Sequence, residues 1–283
     1  MCTRSWAAIV AVGISLAATL AAGCGSEPDA SPAPTWEAGF ELHSLREWSY
    51  WDRDDGGTFY ATDAEADGVT AQSGSAVARF EVTADEHADG REHSKVYKTW
   101  ALAPPETGWN DDADRRLERL PGDSPDGRYS AWFFIPEDYD NVTDTWANIF
   151  QFKESYLDTD GDWQQDPQWW VDLSLAGTWE PSELPAGTSD EDPLLAVNAW
   201  HAEGWWDPKP VAAPVGRWFE LTAELHSGDR IDWHLDGRLF DTSPDDAYPV
   251  GISKGRPTGW TFGVGHYGGV GQLWVDSVAF RAG

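Results

Sequence analysis

Beyond residue 36, apolar and polar residues alternate with a period of two along much of the chain. Ala76, Ala78, Phe80 and Val82 alternate with Val77, Arg79, Glu81 and Thr83. Phe219, Leu221, Ala223 and Leu225 alternate with Trp218, Glu220, Thr222 and Glu224. Ile231, Trp233 and Leu235 follow the same rule, and Leu273, Val275, Ser277 and Ala279 form one set against Trp274, Asp276, Val278 and Phe280. Two is the side-chain period of a half-buried strand. Asp236-Gly237 predicts a tight hairpin turn. Further strands are expected at RYSAWFFIP, WANIFQFKE, WWVDLSL, LLAVNAWH and GWTFGVGHY, with Gly, Pro and Asp clusters between them. Only DDADRRLERL, residues 111–120, reads as a short helix. About a dozen strands without intervening helices predict an all-β fold, an antiparallel β-sandwich, in one domain over residues 36–283.

One strand stands out. In ANIFQFKE, period two places Trp146, Asn148, Phe150 and Phe152 on one face and Ala147, Ile149, Gln151 and Lys153 on the other. Gln151 and Lys153 are then either solvated strand residues or the lining of a groove for an anionic, hydroxyl-rich ligand.

Residues 1–23 combine one Arg, a short apolar run and small residues without an acid, the pattern of a secretory signal. The segment ends in Ala21-Ala22-Gly23-Cys24, which resembles a bacterial lipoprotein box with Cys24 as the lipidated residue. Ordinary cleavage nearby is the alternative. Residues 24–35 are rich in Pro, Ser and Ala and read as a tether. The expected location is the extracellular face of a bacterial cell membrane, held there by the lipid alone. The other cysteine is Cys2, inside the signal, so the folded part needs no disulfide.

The chain carries 19 basic and 49 acidic residues, a net charge of −30. Removing residues 1–23 takes away Arg4 alone and leaves 18 against 49. Such a surface argues against nucleic acid and anionic lipid as partners. A polyanion is met only where the few cations cluster, and only five of them are lysines. There are also 19 Trp, with Trp163, Trp169, Trp170, Trp179, Trp200, Trp205 and Trp206 close together in sequence. These serve as core aromatics or as flat faces for sugar rings.

The succession of W-F-F-I-P-E-D, I-F-Q-F-K, G-R-W-F-E-L, I-D-W-H-L-D-G-R, G-W-T-F-G-V-G-H-Y and L-W-V-D-S-V resembles the concanavalin-like jelly rolls of polysaccharide lyases, the heparin lyase I-like family, over roughly residues 38–281. The resemblance implies a groove across a concave sheet, an acidic polysaccharide as partner and β-elimination as the reaction. That chemistry needs a group to neutralise the uronate carboxylate, a base for the C5 proton and an acid for the departing oxygen. The family pattern puts Gln and then His on the strand of Gln151 and Lys153. This chain has Lys153 in the His position, and a lysine is a base only if burial or nearby cations lower its pKa. Gln151, Lys153, Tyr267 and His201 are the catalytic candidates. Arg91, His93, Lys95, Trp170 and Trp200 are the substrate-binding candidates.

The chemistry calls for no cofactor. A structural calcium ion is the expectation for Glu41 with Asp276, a pairing that resembles a site of jelly-roll carbohydrate modules. The acidic run Asp158-Thr159-Asp160-Gly161-Asp162 lacks the closing Gly and Glu of a calcium loop and reads as a solvated turn. No G-x-S-x-G, P-loop or H-E-x-x-H occurs. The alternative to a lyase is a non-catalytic surface lipoprotein that binds carbohydrate.

Overall fold

The computed structural model describes residues 35–51, 58–101, 118–139, 147–157, 163–164, 168–201, 204–205, 209–226, 229–243 and 256–283. The expected signal, Cys24, the expected tether up to residue 34 and the acidic run at 158–162 lie outside the described residues. Ala33–Gly283 is one unit by its contacts.

In chain order the strands are β1 (Trp36–Ala38), β2 (Tyr50–Trp51), β3 (Thr58–Asp63), β4 (Ala76–Val82), β5 (His93–Ala101), β6 (Glu118–Arg119), β7 (Gly127–Phe134), β8 (Ala147–Leu157) and β9 (Trp163–Gln164). They continue with β10 (Gln168–Leu175), β11 (Pro193–His201), β12 (Gly204–Trp205), β13 (Val211–Ala212), β14 (Trp218–His226), β15 (Arg230–Leu235), β16 (Arg238–Ser243), β17 (Arg256–Gly268) and β18 (Gly271–Ala282). The first sheet runs β16-β15-β14-β7-β18-β4-β3, with β1 on β18. The second runs β12-β11-β10-β8-β17-β5-β2, with β13 on β11, β6 on β5 and β9 on β8. Pairing is antiparallel except between β5 and β6. This is the expected antiparallel sandwich.

Inward side chains of the two sheets interlock through aromatic rings. Tyr129 of the first sheet meets Phe152 of the second at 4.9 Å. Phe133 meets Phe150 at 6.1 Å, and Trp233 meets Phe150 at 6.0 Å. All of these side chains are buried. Each contributes about 1.5–3 kcal/mol by leaving water, and edge-to-face rings add direction to the packing. Asp236 and Gly237 both have positive φ, 49° and 72°, as the hairpin between β15 and β16 requires.

Among the register shifts along the described strands, two break the alternation expected of β8 and β18. On β8, Phe150 faces Val171 of β10 while Asn148 faces the next residue, Asp172, so Ile149 is extra. The extra residue turns Asn148 away from the phenylalanine face and sends Ile149 and Ala147 into the core. On β18, the register against β7 shifts between Asp276 and Ala279, with Ser277 at φ 48°. The core set is therefore Leu273, Val275, Val278 and Phe280, not Leu273, Val275, Ser277 and Ala279.

The helix expectation also needs correcting. Residues 111–117 lie outside the described residues, and Glu118–Arg119 pair as a strand with β5. The α-helix, α1, spans Ala84–Ala88. Thr83 and Glu86 form a reciprocal capping box, so two of the amides orphaned at a helix start are satisfied. T-x-x-E was the available signal.

Candidate functional site

The outer face of the second sheet carries a polar cluster built on four strands. Val96 of β5 points into the core, so His93, Lys95 and Tyr97 share the outer face by the strand period. Phe150, Phe152, Trp169, Val171, Phe262 and Val264 likewise fill the core. Gln151, Lys153, Trp170, Asp172, Gly263 and Gly265 are left on the opposite face, where all but Lys153 are nevertheless buried.

Lys95 is the centre of the cluster. Its side chain is fully buried. Nζ donates to Asn148 Oδ1 at 2.6 Å and to Gln151 Oε1 at 3.0 Å. To reach β8, the lysine stem crosses β17, where Gly265 pairs with Lys95 and Gly263 with Tyr97. A Cβ on Gly265 would lie 2.7 Å from Lys95 Cα and 2.9 Å from its Cγ. A Cβ on Gly263 would lie 2.7 Å from the Tyr97 ring. The two glycines thus open a trough across β17 that Lys95 and Tyr97 occupy. Alternate glycines within a strand signal such close approach, and G-V-G was the sequence mark of it.

Lys153 Nζ stands 5.1 Å from the centroid of Tyr97, and Lys95 Nζ 5.8 Å from it. Both lysine nitrogens sit within about 6 Å of one ring, the reach of a cation–π contact. Burial first, then the charge of Lys153, holds the Lys95 amine well below its usual range, against the pull of Asp172. Burial and a nearby cation thus act on Lys95 as that chemistry asks of a lysine base. Gln151 Nε2 donates to Gln168 Oε1 at 2.9 Å, so both ends of this amide are held.

His93 and Tyr267 pair across β5 and β17. Their rings meet edge-on with centroids 4.0 Å apart. Tyr267 also faces Asn148 on β8. The imidazole and phenol thus adjoin the residue that Lys95 grips. Beneath them, His266 Nε2 lies 3.3 Å from Tyr139 Oη. Burial, then the charge of Lys95, pushes His266 down from 6.5 to about 3.

Asn148 and Asp172 belong to the cluster and were not expected from sequence. Asp172 faces Asn148 on one side and Ala196 on the other. Its Oδ2 accepts from Asn198 Nδ2 at 3.1 Å. Burial raises this carboxyl from 3.8 to about 7, although hydrogen bonds from Asn198 and Trp170 and the charge of Lys95 oppose the rise. Trp170 lies on the same face, buried, between Gln151 and Asn198. Trp169, by contrast, belongs to the core.

Of the other expected residues, Arg91 and the Glu41–Asp276 pair are elsewhere. Arg91 precedes β5 and pairs with Asp89 at 3.2 Å. Trp200 and His201 belong to β11, but their side chains lie outside the described residues. Glu41 and Asp276 both hold the turn at residues 73–76. Glu41 Oε1 accepts from the amides of Ser75 at 3.0 Å and Ala76 at 3.2 Å. Asp276 Oδ2 accepts from Ser73 N at 2.9 Å, and its Oδ1 from Ser277 N at 2.6 Å. Among the described residues no three His, Cys, Asp or Glu side chains gather to hold a metal ion.

No protein-family model matches the chain, and no curated protein matches it in sequence. Solved structures match its fold. An endo-β-1,4-glucuronan lyase from the fungus Trichoderma reesei superposes with a TM-score of 0.52 at 14% identity, over 89% of this chain and 96% of that one. The cellulose-induced protein Cip1 gives 0.48 at 14% identity, over 87% and 97%. Domain 4 of AbnA, an extracellular arabinanase from Geobacillus stearothermophilus solved with arabinotriose, gives 0.38 at 14% identity, over 88% and 94%. The chain shares the β-sandwich fold of the first.

Proposed function

We propose that the chain is a lyase that binds an acidic polysaccharide on the outer face of the second sheet and cleaves it by β-elimination at a uronic acid. One observation carries the reading: a buried lysine amine, two amides, an imidazole and a phenol converge on one sheet face of an otherwise acidic protein. Lys95, Lys153 and Gln151 supply charge and hydrogen bonds for the uronate carboxylate, which acidifies C5–H and stabilises the enolate. His93 takes the C5 proton, since imidazole is the side chain suited to accept a proton near neutral pH. The electron pair forms the C4–C5 double bond, the C4–O bond breaks, and Tyr267 protonates the departing oxygen. The fold shared with a glucuronan lyase supports this reading. So does the sequence resemblance to jelly-roll lyases, although Lys153 departs from it. Incubation with a panel of polyuronates, read by ultraviolet absorbance of the unsaturated product, tests it. No product across the panel overturns it.

Gln151 favours a second reading, a carbohydrate-binding protein without turnover. Its amide already accepts from Lys95 and donates to Gln168, so a substrate carboxylate has to displace a bond already made. Binding to the same panel without product would select this reading. In either case the signal and Cys24 support a lipid-anchored protein outside the cell membrane, which labelling with a lipid precursor tests against Cys24→Ser. The calcium reading of Glu41 and Asp276 is tested by whether calcium raises the melting temperature.

A further inference from the structure

The loop between β10 and β11 folds back over the outer face of the second sheet. Trp179 Nε1 donates to Ser174 Oγ at 2.8 Å. Ser174 shares its face with Asp172 and Trp170, because Trp169, Val171 and Leu173 between them point into the core. The indole is thus fixed on the face that carries the polar cluster. Ser174 lies four residues along β10 from Trp170, roughly 13 Å at strand rise.

The loop is ordered by its own hydrogen bonds. Gly177 N donates to Asp190 O and Ala176 N to Asp192 O, both at 2.9 Å. Glu183 N donates to Glu180 O at 2.9 Å. Inside it, Trp179, Pro181, Leu184 and Pro185 line a depression of about 730 Å³. That volume is in the range of small-ligand sites, and a preformed wall saves the ordering cost of binding. The charged lining is Glu180 and Asp190, with no cation. Asp172 stands between this depression and Lys95 along the sheet. The lysines thus lie on β5 and β8, and the aromatic, acid-bounded depression in the loop that follows β10.

We propose that the Trp179 depression is a subsite for an uncharged sugar unit, so that the polymer taken by this face carries neutral units beside its acidic ones. A sugar ring presents C–H groups to a flat indole and hydroxyls to carboxylates and loop carbonyls. A uronate or sulfate there would face Glu180 and Asp190 with no counter-charge. The acidic half of the proposal rests on the function proposed above. The neutral subsite stands on Trp179 and its loop.

Isothermal titration of the purified protein with three oligosaccharides tests this: a neutral one, a homopolyuronate, and one alternating glucuronic acid with glucose. The mixed ligand is expected to bind about tenfold or more tighter than the homopolyuronate. Trp179→Ala is expected to remove that advantage and leave homopolyuronate affinity unchanged, whereas Trp179→Phe, which keeps a flat ring, retains most of it. A homopolyuronate that binds as tightly as the mixed ligand overturns the proposal. So does a folded Trp179→Ala protein with undiminished mixed-ligand affinity. Binding of the neutral ligand alone, lost in Trp179→Ala, would sink the uronate reading and leave the subsite standing. If none of the three binds, both fall.

Discussion

Lys95 on β5 reaches over the whole width of β17 to donate to Asn148 on β8, at 2.6 Å. Two features outside the lysine permit this contact. Gly265 has no side chain to block the stem, and the extra residue Ile149 turns Asn148 toward it.

Gly265 is the more restrictive of the two. Its φ is +142°, and a Cβ would overlap Ser94 O. Gly265→Ala is expected to destabilise the protein by about 1–3 kcal/mol or more, since both strain and overlap oppose it. Chemical denaturation measures the loss. Gly263→Ala meets the Tyr97 ring and is expected to displace that ring and perturb both lysine contacts.

His93→Ala and Tyr267→Phe are expected to lower turnover by roughly 10²–10⁴-fold, the usual weight of a general acid or base. Binding of the same ligand is expected to persist. Single-turnover rates and calorimetry on one ligand preparation separate the two effects. Equal loss of binding and turnover would make these residues part of the carboxylate grip instead.

Asp172 and His266 give opposite pH dependences. The Asp172 carboxyl is raised from 3.8 to about 7. The folded state therefore holds more protons than the unfolded chain in that window, and stability falls as pH rises through it. His266 is lowered from 6.5 to about 3. There the unfolded chain holds more protons, and stability falls as pH drops. The two contributions oppose each other over mildly acidic pH. Asp172→Asn is expected to remove the first and raise stability near neutral pH, by no more than about 4 kcal/mol. Denaturation midpoints across mildly acidic to neutral pH read the change.

Lys95 adds a third limb. Its amine is lowered below 10.5, so the unfolded chain binds the extra proton and stability rises with pH in the window up to that value. Lys95→Met is expected to flatten this rise and to abolish ligand binding. A Met variant with the wild-type pH slope would show that the buried amine is not the group responsible.

The alternation of Phe219 to Leu225, and the Asp236-Gly237 turn, were legible in sequence because period and turn chemistry act locally. The bulges were not. At Ile149 and between Asp276 and Ala279 the chain reads as regular strand, and only the register of the neighbouring strands shows the slip. That is why period two puts Asn148 with the phenylalanines and Ser277 with Leu273 and Val275. Among the site residues, Gln151 and Lys95 were legible as polar residues in apolar strands. That Lys95, and not Lys153, is the enclosed lysine depends on two glycines of a distant strand. Asp172 was hidden within a strand that otherwise reads as apolar.

The enclosure of Lys95 inside a chain of net charge −30 has a kinetic consequence. A polyanion meets repulsion at long range and attraction only on contact. Salt screens beyond about 8 Å at physiological strength and acts weakly on enclosed pairs. The association rate is therefore expected to rise with added salt, the reverse of what a basic polyanion binder shows, while release changes little. Stopped-flow mixing at several ionic strengths would register the protein as one whose capture of its ligand improves in brine.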